Sequence, residues 1–306
     1  MLALALLGTL VKTASADPNT DTVVARVNGK PIYAKELEAN LPPDAFAVTQ
    51  DDIRTAKLAW LIENEATRQF LQSKKIVIAD KTVDDAIAEY RKIPPPASCS
   101  CCRYGSLQEF LDVNGYTLME FRENVRNTKG MDVYLEQQWK KKYPTKTSRD
   151  ELVNRHRDHV MKYFARMHHI FFNVFQQMKF KGYPSDVEEK EKQKAIAAWN
   201  RLEHGESFEA VAKAVSEDVQ SRSAGGALGC IDTRSYGDEV RAAILQTKAG
   251  TYTKPIASPF GFHILKWEKM SETDIANVVK QQLIEQARQD TSNDIMDKAK
   301  IDRYAK

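Results

Sequence analysis

Apolar and polar positions follow different periods along the 306 residues, and each period predicts its own kind of structure. Val23-Val24-Ala25-Arg26-Val27 is a β-branched run that stops at the turn pair Asn28-Gly29, and Pro31-Ile32-Tyr33 resumes an extended segment. A helix is predicted from Ala34 to Leu41, before Pro42-Pro43. Between Asp51 and Lys74, residues Ile53, Leu58, Leu61, Ile62, Ala66, Phe70 and Leu71 recur mostly at helical spacing. The next helix runs from about Thr82 to Arg91 and stops near Pro94-Pro95-Pro96, because consecutive prolines cannot continue a hydrogen-bonded helix. Further helices are predicted over Ser106 to Val113, Thr117 to about Lys142, and Ser148 to about Lys162. Thr117 with Glu120, and Ser148 with Glu151, have capping-box spacing. Residues 17–162 therefore read as a mostly helical unit opened by a short hairpin.

The pattern changes after Tyr163. Phe164 to Val174 is rich in apolar, aromatic and histidine residues and reads as a strand. Val187 to His204 is a charged helix with an apolar stripe at Ala195, Ala198, Trp199 and Leu202, ended by Gly205. Phe208 to Val215 is a short helix, and a loop containing Gly225-Gly226 and Gly229 follows. Glu239 to Thr247 is helical, Tyr252 to Ile256 is extended, and Gly261 to Trp267 is a strand entered through glycine. Residues 163–269 thus predict a compact α+β domain of roughly four strands with three or four helices. A last amphipathic helix within 272–300 carries Ile275, Val278, Val279 and Leu283 on one face. It predicts a C-terminal segment, 270–306, that packs back on the N-terminal helices.

Composition narrows the class. A chain that is 42% hydrophobic and 28% charged is neither disordered nor dominated by membrane spans. Its 45 basic and 42 acidic residues nearly cancel, which argues against nucleic acid as a partner, since that demands a concentrated basic face. The first 16 residues differ in kind: Leu2 to Val11 is an apolar run too short to span a bilayer, and Ala14-Ser15-Ala16 has the form of a cleavage site. Residues 1–16 are therefore expected to be a signal peptide, although no Lys or Arg precedes the run, and a buried N-terminal helix is the alternative. The mature chain would begin at Asp17 in the periplasm or medium. In an oxidising compartment Cys99, Cys101, Cys102 and Cys230 could form disulfides, and four cysteines allow three pairings. A metal site at the clustered three lacks a second half at suitable spacing, so no metal or cofactor is expected.

One ordered set of short motifs carries a resemblance. His169-Ile170, Gly205-Glu206-Ser207-Phe208 with Ala212, Ser216-Glu217-Asp218, Gly225-Gly226-Ala227-Leu228-Gly229, Ala249-Gly250, and Pro255 with Gly261-Phe262-His263-Ile264 resemble the signature of parvulin-type peptidyl-prolyl cis/trans isomerases. The opening Val24-Ala25-Arg26-Val27-Asn28-Gly29-Lys30-Pro31-Ile32, followed by helices, resembles the N-terminal domain of the foldases SurA and PrsA.

The resemblance implies an α+β chain, with a helical chaperone domain over 17–162 and a parvulin domain whose four-stranded antiparallel sheet is surrounded by helices. It implies isomerisation of X–Pro bonds, with unfolded or partly folded exported polypeptides containing proline as partners and a homodimer left open. It assigns catalysis to His169, Asp218, His263 and Ser258, and the proline pocket to Tyr236 and Val240 with Phe260. Two bland readings stand beside it: the histidines as a core pair that supports the fold, and Asp218 as a turn cap. Val240 stands where the family has an aromatic, so the alternative function is a holdase whose parvulin domain is weak or inactive. A third reading makes the cysteine cluster a redox or metal-loading element. His168, next along the strand, must point away from His169 and is expected to be a bystander.

Overall fold

The structure is a computed structural model that describes residues 21–42, 49–92, 104–174 and 185–304, with only the backbone of Ser185, Tyr236 and Glu239. The expected signal peptide and Cys99, Cys101 and Cys102 lie outside the described residues. The described residues form two compact units, one of 21–42, 49–92, 104–141 and 285–304, the other of 142–174 and 185–284. The architecture is α+β.

In the first unit β1 (Val23–Val27) and β2 (Lys30–Tyr33) form the predicted hairpin, and Asn28 and Gly29 at φ 50° and 85° make its tight turn. The helices are α1 (Ala34–Glu38), α2 (Gln50–Ser73), α3 (Asp80–Lys92), α4 (Leu107–Asn114) and α5 (Leu118–Lys142). Local chemistry sets several of their starts. Thr49 and Asp52 form a reciprocal capping box on α2, and Ser106 accepts the Glu109 N–H at the head of α4. At the start of α5, Glu120 accepts from the Thr117 N–H at 2.7 Å while Thr117 Oγ1 accepts from the Glu120 N–H at 3.2 Å. Val83 and Ile87 of α3 pack with Leu107 and Leu111 of α4 and with Phe121 and Val125 of α5. Lys57 of α2 is buried; its ammonium donates to the Ala39 carbonyl, which closes α1, and lies 3.6 Å from Glu120.

The second unit opens with α6 (Lys146–Tyr163), which starts earlier than the sequence pattern predicts. Thr145 caps it by accepting the Ser148 N–H at 3.1 Å, so Ser148 is the third helical residue and not the cap. There follow β3 (Phe164–Asn173), α7 (Ser185–Glu203), α8 (Phe208–Val215), β4 (Ala227–Asp232), α9 (Asp238–Gln246), β5 (Ile256–Ser258) and β6 (Gly261–Glu268). The four strands form an antiparallel sheet in the order β4-β3-β6-β5. Two sequence expectations change here. Of the glycine-bearing stretch read as a loop, Gly225-Gly226 form a turn but Ala227 onward, with Gly229, is strand β4, held by backbone pairing to β3, and Tyr252 makes only a single bridge to Lys266 ahead of β5.

Strand alternation sends the two faces of this sheet into different cores. Ile170 and Phe172 of β3, with Phe262 and Ile264 of β6, pack against Ala195, Ala198 and Leu202 of α7 and Phe208, Val211 and Ala212 of α8. Ala165 and Met167 of β3, with Leu265 of β6, pack against Val240 and Ile244 of α9. The second face continues upward into the candidate site. A long helix, α10 (Glu272–Lys298), begins in the second unit, and its residues from 285 belong to the first. It leads to β7 (Ile301–Arg303), which pairs with the free edge of β1 and gives the sheet order β2-β1-β7.

Candidate functional site

Two residues beyond Met167 on the α9-facing side of β3 stands His169, and two residues before Leu265 on β6 stands His263. In the register His169 faces Leu265 and Phe171 faces His263, so the imidazoles meet on the diagonal. His169 Nε2 lies 2.8 Å from His263 Nδ1, with the ring planes within 12° of parallel and centroids 5.0 Å apart. On the far side of His263, Ser258 Oγ is 2.6 Å from Nε2. On the far side of His169, Asp218 Oδ2 is 4.0 Å from Nδ1, close enough to bias the ring and too long for a direct hydrogen bond. The four residues assigned to catalysis by resemblance, whose outermost members are 94 positions apart, therefore stand in one line: Asp218, His169, His263, Ser258.

Glycine makes the approach of these segments feasible. Gly261, at φ 144°, starts β6 so close to β3 that a Cβ there would lie 2.0 Å from the Phe172 carbonyl oxygen. Gly226, at φ 82°, accepts the His169 N–H at 2.8 Å, and a Cβ on it would lie 2.5 Å from the His169 carbonyl. Ser258 is oriented by the Phe260 N–H, which donates to its Oγ at 3.1 Å.

Both rings are buried. Burial pushes the His169 pKa down to about 4 despite the opposing pull of Asp218, and burial together with the neighbouring ring pushes His263 down to about 3. Both are neutral at physiological pH, so each carries one N–H and one lone pair. The tautomers then follow from the ends of the line. An N–H on His169 Nδ1 faces the Asp218 carboxylate favourably, whereas a lone pair there would not. With that proton at Nδ1, His169 Nε2 accepts from the N–H at His263 Nδ1, and His263 Nε2 accepts from the Ser258 hydroxyl. The 2.6 Å contact fits that direction better than the hydroxyl's alternative acceptor, the Gly261 carbonyl at 3.2 Å.

Asp218 is itself buried, and it accepts from Ser221 Oγ at 2.5 Å and from the Gln220 N–H at 3.3 Å. It therefore also closes its own turn, so the turn-cap reading and the site reading describe one residue. Phe171 joins the candidate site without having been expected from the sequence: its ring stacks on His263 with centroids 4.8 Å apart and planes 28° from parallel. It lies two positions from His169 on a strand, and that spacing was the available signal. Phe260 is partly exposed beside Ser258. Val240, assigned to the proline pocket, packs into the core formed with Met167 and Leu265 and is 5% exposed. Tyr236 ends a short 3₁₀ turn, Thr233–Tyr236, and its side chain is not among the described atoms. His168 points to the opposite face, 3.8 Å from Glu268 and edge-on to Phe208, and takes no part in the line.

Residues 169–269 match the family model described as Rotamase, the PPIC-type PPIASE domain. The foldase protein PrsA of Clostridium kluyveri is 36% identical over 110 residues, covering 35% of this chain and 32% of that protein. The chaperone SurA of Pseudomonas fluorescens is 35% identical over 101 residues, covering 32% of this chain and 24% of its own length. In both, the match spans about a third or less of the relative. The foldase protein PrsA of Clostridium botulinum is 24% identical over an alignment covering 100% of this chain and 95% of that protein.

Proposed function

We propose that this chain, whose residues 169–269 form a PPIC-type rotamase domain, is an exported foldase that isomerises X–Pro bonds and holds unfolded polypeptide. The observation that carries the reading is the line Asp218–His169–His263–Ser258, in which both imidazoles are buried and neutral beside the Asp218 carboxylate, with Phe171 stacked on His263. Isomerisation needs no covalent step. The barrier of about 18–20 kcal/mol comes from lost amide conjugation as the bond twists. A catalyst therefore has only to bind the twisted amide better than the planar one, and each 1.36 kcal/mol of that difference is worth about tenfold in rate.

The line of groups suits that task in three ways. The planar amide is the more dipolar form, so a pocket that excludes water favours the twisted one. Neutral imidazoles leave no positive charge to stabilise the conjugated carbonyl oxygen. A carboxylate beside His169 disfavours build-up of negative charge on that oxygen and so further weakens conjugation. His169 and His263 act in this scheme by fixing the hydrogen-bonding line on which the pocket floor depends, which makes them structural and functional at once.

The rest of the assignment is of the same standing. Residues 17–162 with 270–306 would be the chaperone part, residues 163–269 the isomerase, and residues 1–16 the export signal, with unfolded proline-containing polypeptides as clients. Val240 supports one second reading. It is drawn into the core, which leaves Phe171, stacked on His263, and the exposed Phe260 as the aromatics nearby in sequence and strand, and a holdase with weak catalysis follows if those do not suffice.

A protease-free assay on a proline tetrapeptide, run beside suppression of client aggregation by the full chain, separates the two. The foldase reading expects acceleration that falls at least tenfold in Asp218→Asn, a change that keeps an acceptor for Ser221 and removes the charge near His169. Wild-type protein that suppresses aggregation without accelerating isomerisation makes the holdase reading correct.

A further inference from the structure

The outer edge of β3 is paired with β4 only as far as His168, and the segment Ser216-Glu217-Asp218 takes over from there. The Phe171 N–H donates to Ser216 Oγ at 3.2 Å, and the Phe171 carbonyl accepts from the Glu217 N–H at 2.7 Å. The Asn173 N–H then donates to Glu217 Oε2 at 2.8 Å. Glu217 thus replaces a strand residue, using its backbone for one rung and its carboxylate for the next. Its other oxygen, Oε1, lies 3.0 Å from Lys194 Nζ, and the same ammonium reaches Glu191 Oε1 at 2.7 Å. Glu191 is on α7 and 2% exposed, so the far end of this chain is anchored in the core.

None of these groups belongs to the line of four, yet they hold the residue that precedes one of its members. Asp218 is the next residue after Glu217, and its Oδ2 stands 4.0 Å from His169 Nδ1. Electrostatic bias falls with distance and with any water that enters between the groups, so a loop that slips by an ångström weakens the preference for a proton on Nδ1. Ser216 shares in holding that position, as does the Asp218 carbonyl, which accepts the Arg222 N–H at 2.8 Å. The Ser216 hydroxyl accepts from both the Phe171 and the Asp218 N–H, at 3.2 and 3.3 Å, and both bonds lie on one side of residue 217 or pivot about it.

We propose that Glu217, steadied by Lys194, is a positioning residue that clips the Asp218 loop to β3 and thereby fixes the tautomer of His169. The inference rests on the isomerase reading for its consequence in rate, but its geometric part is independent of it.

The test compares Glu217→Ala, Glu217→Gln and Lys194→Met in the full chain by three readouts: the ¹⁵N shifts of the His169 ring, kcat and KM for a proline peptide, and the melting temperature. In the wild type the His169 shifts should report a proton on Nδ1. Glu217→Ala should mix the tautomers and lower kcat about tenfold with KM changed less than twofold. Glu217→Gln keeps an amide oxygen for the Asn173 N–H and should recover kcat to within about threefold, with a single tautomer. Lys194→Met should fall between them. A Glu217→Ala protein that melts lower while His169 shifts and kcat stay at wild-type values gives Glu217 a merely structural role and overturns the proposal. Unchanged values in all three readouts overturn it as well. Wild-type protein without isomerase activity defeats the functional reading instead, and the His169 shifts then still decide the positioning question.

Discussion

Ser258 and His263, five residues apart on consecutive strands, are joined across the strand turn by a 2.6 Å contact between Oγ and Nε2. The serine also receives the Phe260 N–H, so a single hydroxyl serves the ring and its own turn. Replacing it with alanine leaves a buried ring nitrogen and a backbone donor short of partners.

Ser258→Ala should therefore cost about 1–3 kcal/mol of stability, the usual penalty for unsatisfied buried groups. It should also slow isomerisation several-fold, because His263 loses the group that sets its tautomer. Thermal melts and proline-limited refolding measured on the same preparation check both parts. Ser258→Thr keeps the hydroxyl and should restore most of each. Equal losses in the two variants would mean that shape at this position matters and the hydroxyl does not.

The histidines give stability a pH dependence whose sign follows from their direction of shift. An unfolded histidine protonates near pH 6.5, while His169 and His263 in the native protein do so only at about 4 and about 3, and burial lowers His168 too. Between those limits the unfolded chain binds protons that the native chain refuses. Stability therefore falls as pH drops from about 6.5 toward 4, and levels only when the native rings protonate. Above pH 6.5 these groups contribute no slope. Melting temperatures taken across this range should decline on the acid side, and His263→Gln should make the decline shallower. An unchanged slope in that variant would show that the ring is not held neutral.

Backbone geometry makes the sharpest stability prediction. A Cβ at Gly261 would lie 2.0 Å from the Phe172 carbonyl oxygen, at a φ of 144° that side chains rarely adopt. The clash is with backbone at the end of the β3–β6 pair, where Gly261 faces Asn173, so no rotamer change relieves it. Gly261→Ala should destabilise the protein by more than about 3 kcal/mol, in the range reserved for backbone strain and broken cores. Gly250→Ala is the control: it shares a positive φ of 86° but meets nothing within 4 Å, so it should cost markedly less. Denaturant melts of the two variants give the comparison, and similar losses would remove close strand approach as the cause.

How far the sequence revealed this arrangement depended on whether the signal was local. The capping box at Thr117 and Glu120, the Asn28-Gly29 turn and the apolar stripes of α2 and α7 are set by neighbours in sequence, and all were legible. So were His169, His263, Asp218 and Ser258 as candidates, because the motif order places them, although their distances could not be read. Strand β4 was hidden because its hydropathy is interrupted by Gly229 and its existence depends on hydrogen bonds to β3, some sixty residues earlier. The start of α6 was misplaced because Lys146 and Thr147 are polar and give no apolar period, leaving Thr145 unnoticed. Phe171 was overlooked for another reason: a Phe-Phe pair in an apolar strand looks like core on both sides, and only the sheet faces separate Phe172, in the core, from Phe171, against His263.

The least legible element yields the last prediction. Strand β7 is three residues long and follows a 27-residue helix, so nothing near it in sequence marks it as a strand. Its partner lies at the other end of the chain: the Asn28 N–H donates to the Lys300 carbonyl, Lys300 N–H to Asn28 Oδ1, and Tyr304 N–H to the Val24 carbonyl. Antiparallel alternation then turns the Arg26 amide toward β7 as well, while Ala25 and Val27 face β2. Removing residues 300–306 should leave Val24, Arg26 and Asn28 on an open edge beside fully buried Ala25 and Val27. Open edges lose protection and invite pairing with other chains. Hydrogen exchange should speed up at the Arg26 and Asn28 amides, the melting temperature should fall, and aggregation should rise with concentration. Adding a synthetic 299–306 peptide should slow that exchange again, because the pairing is made by backbone and needs no covalent link. If the two amides exchange at the intact protein's rate after the deletion, β7 does not hold this edge, and the closure of the sheet by the C-terminal segment is wrong.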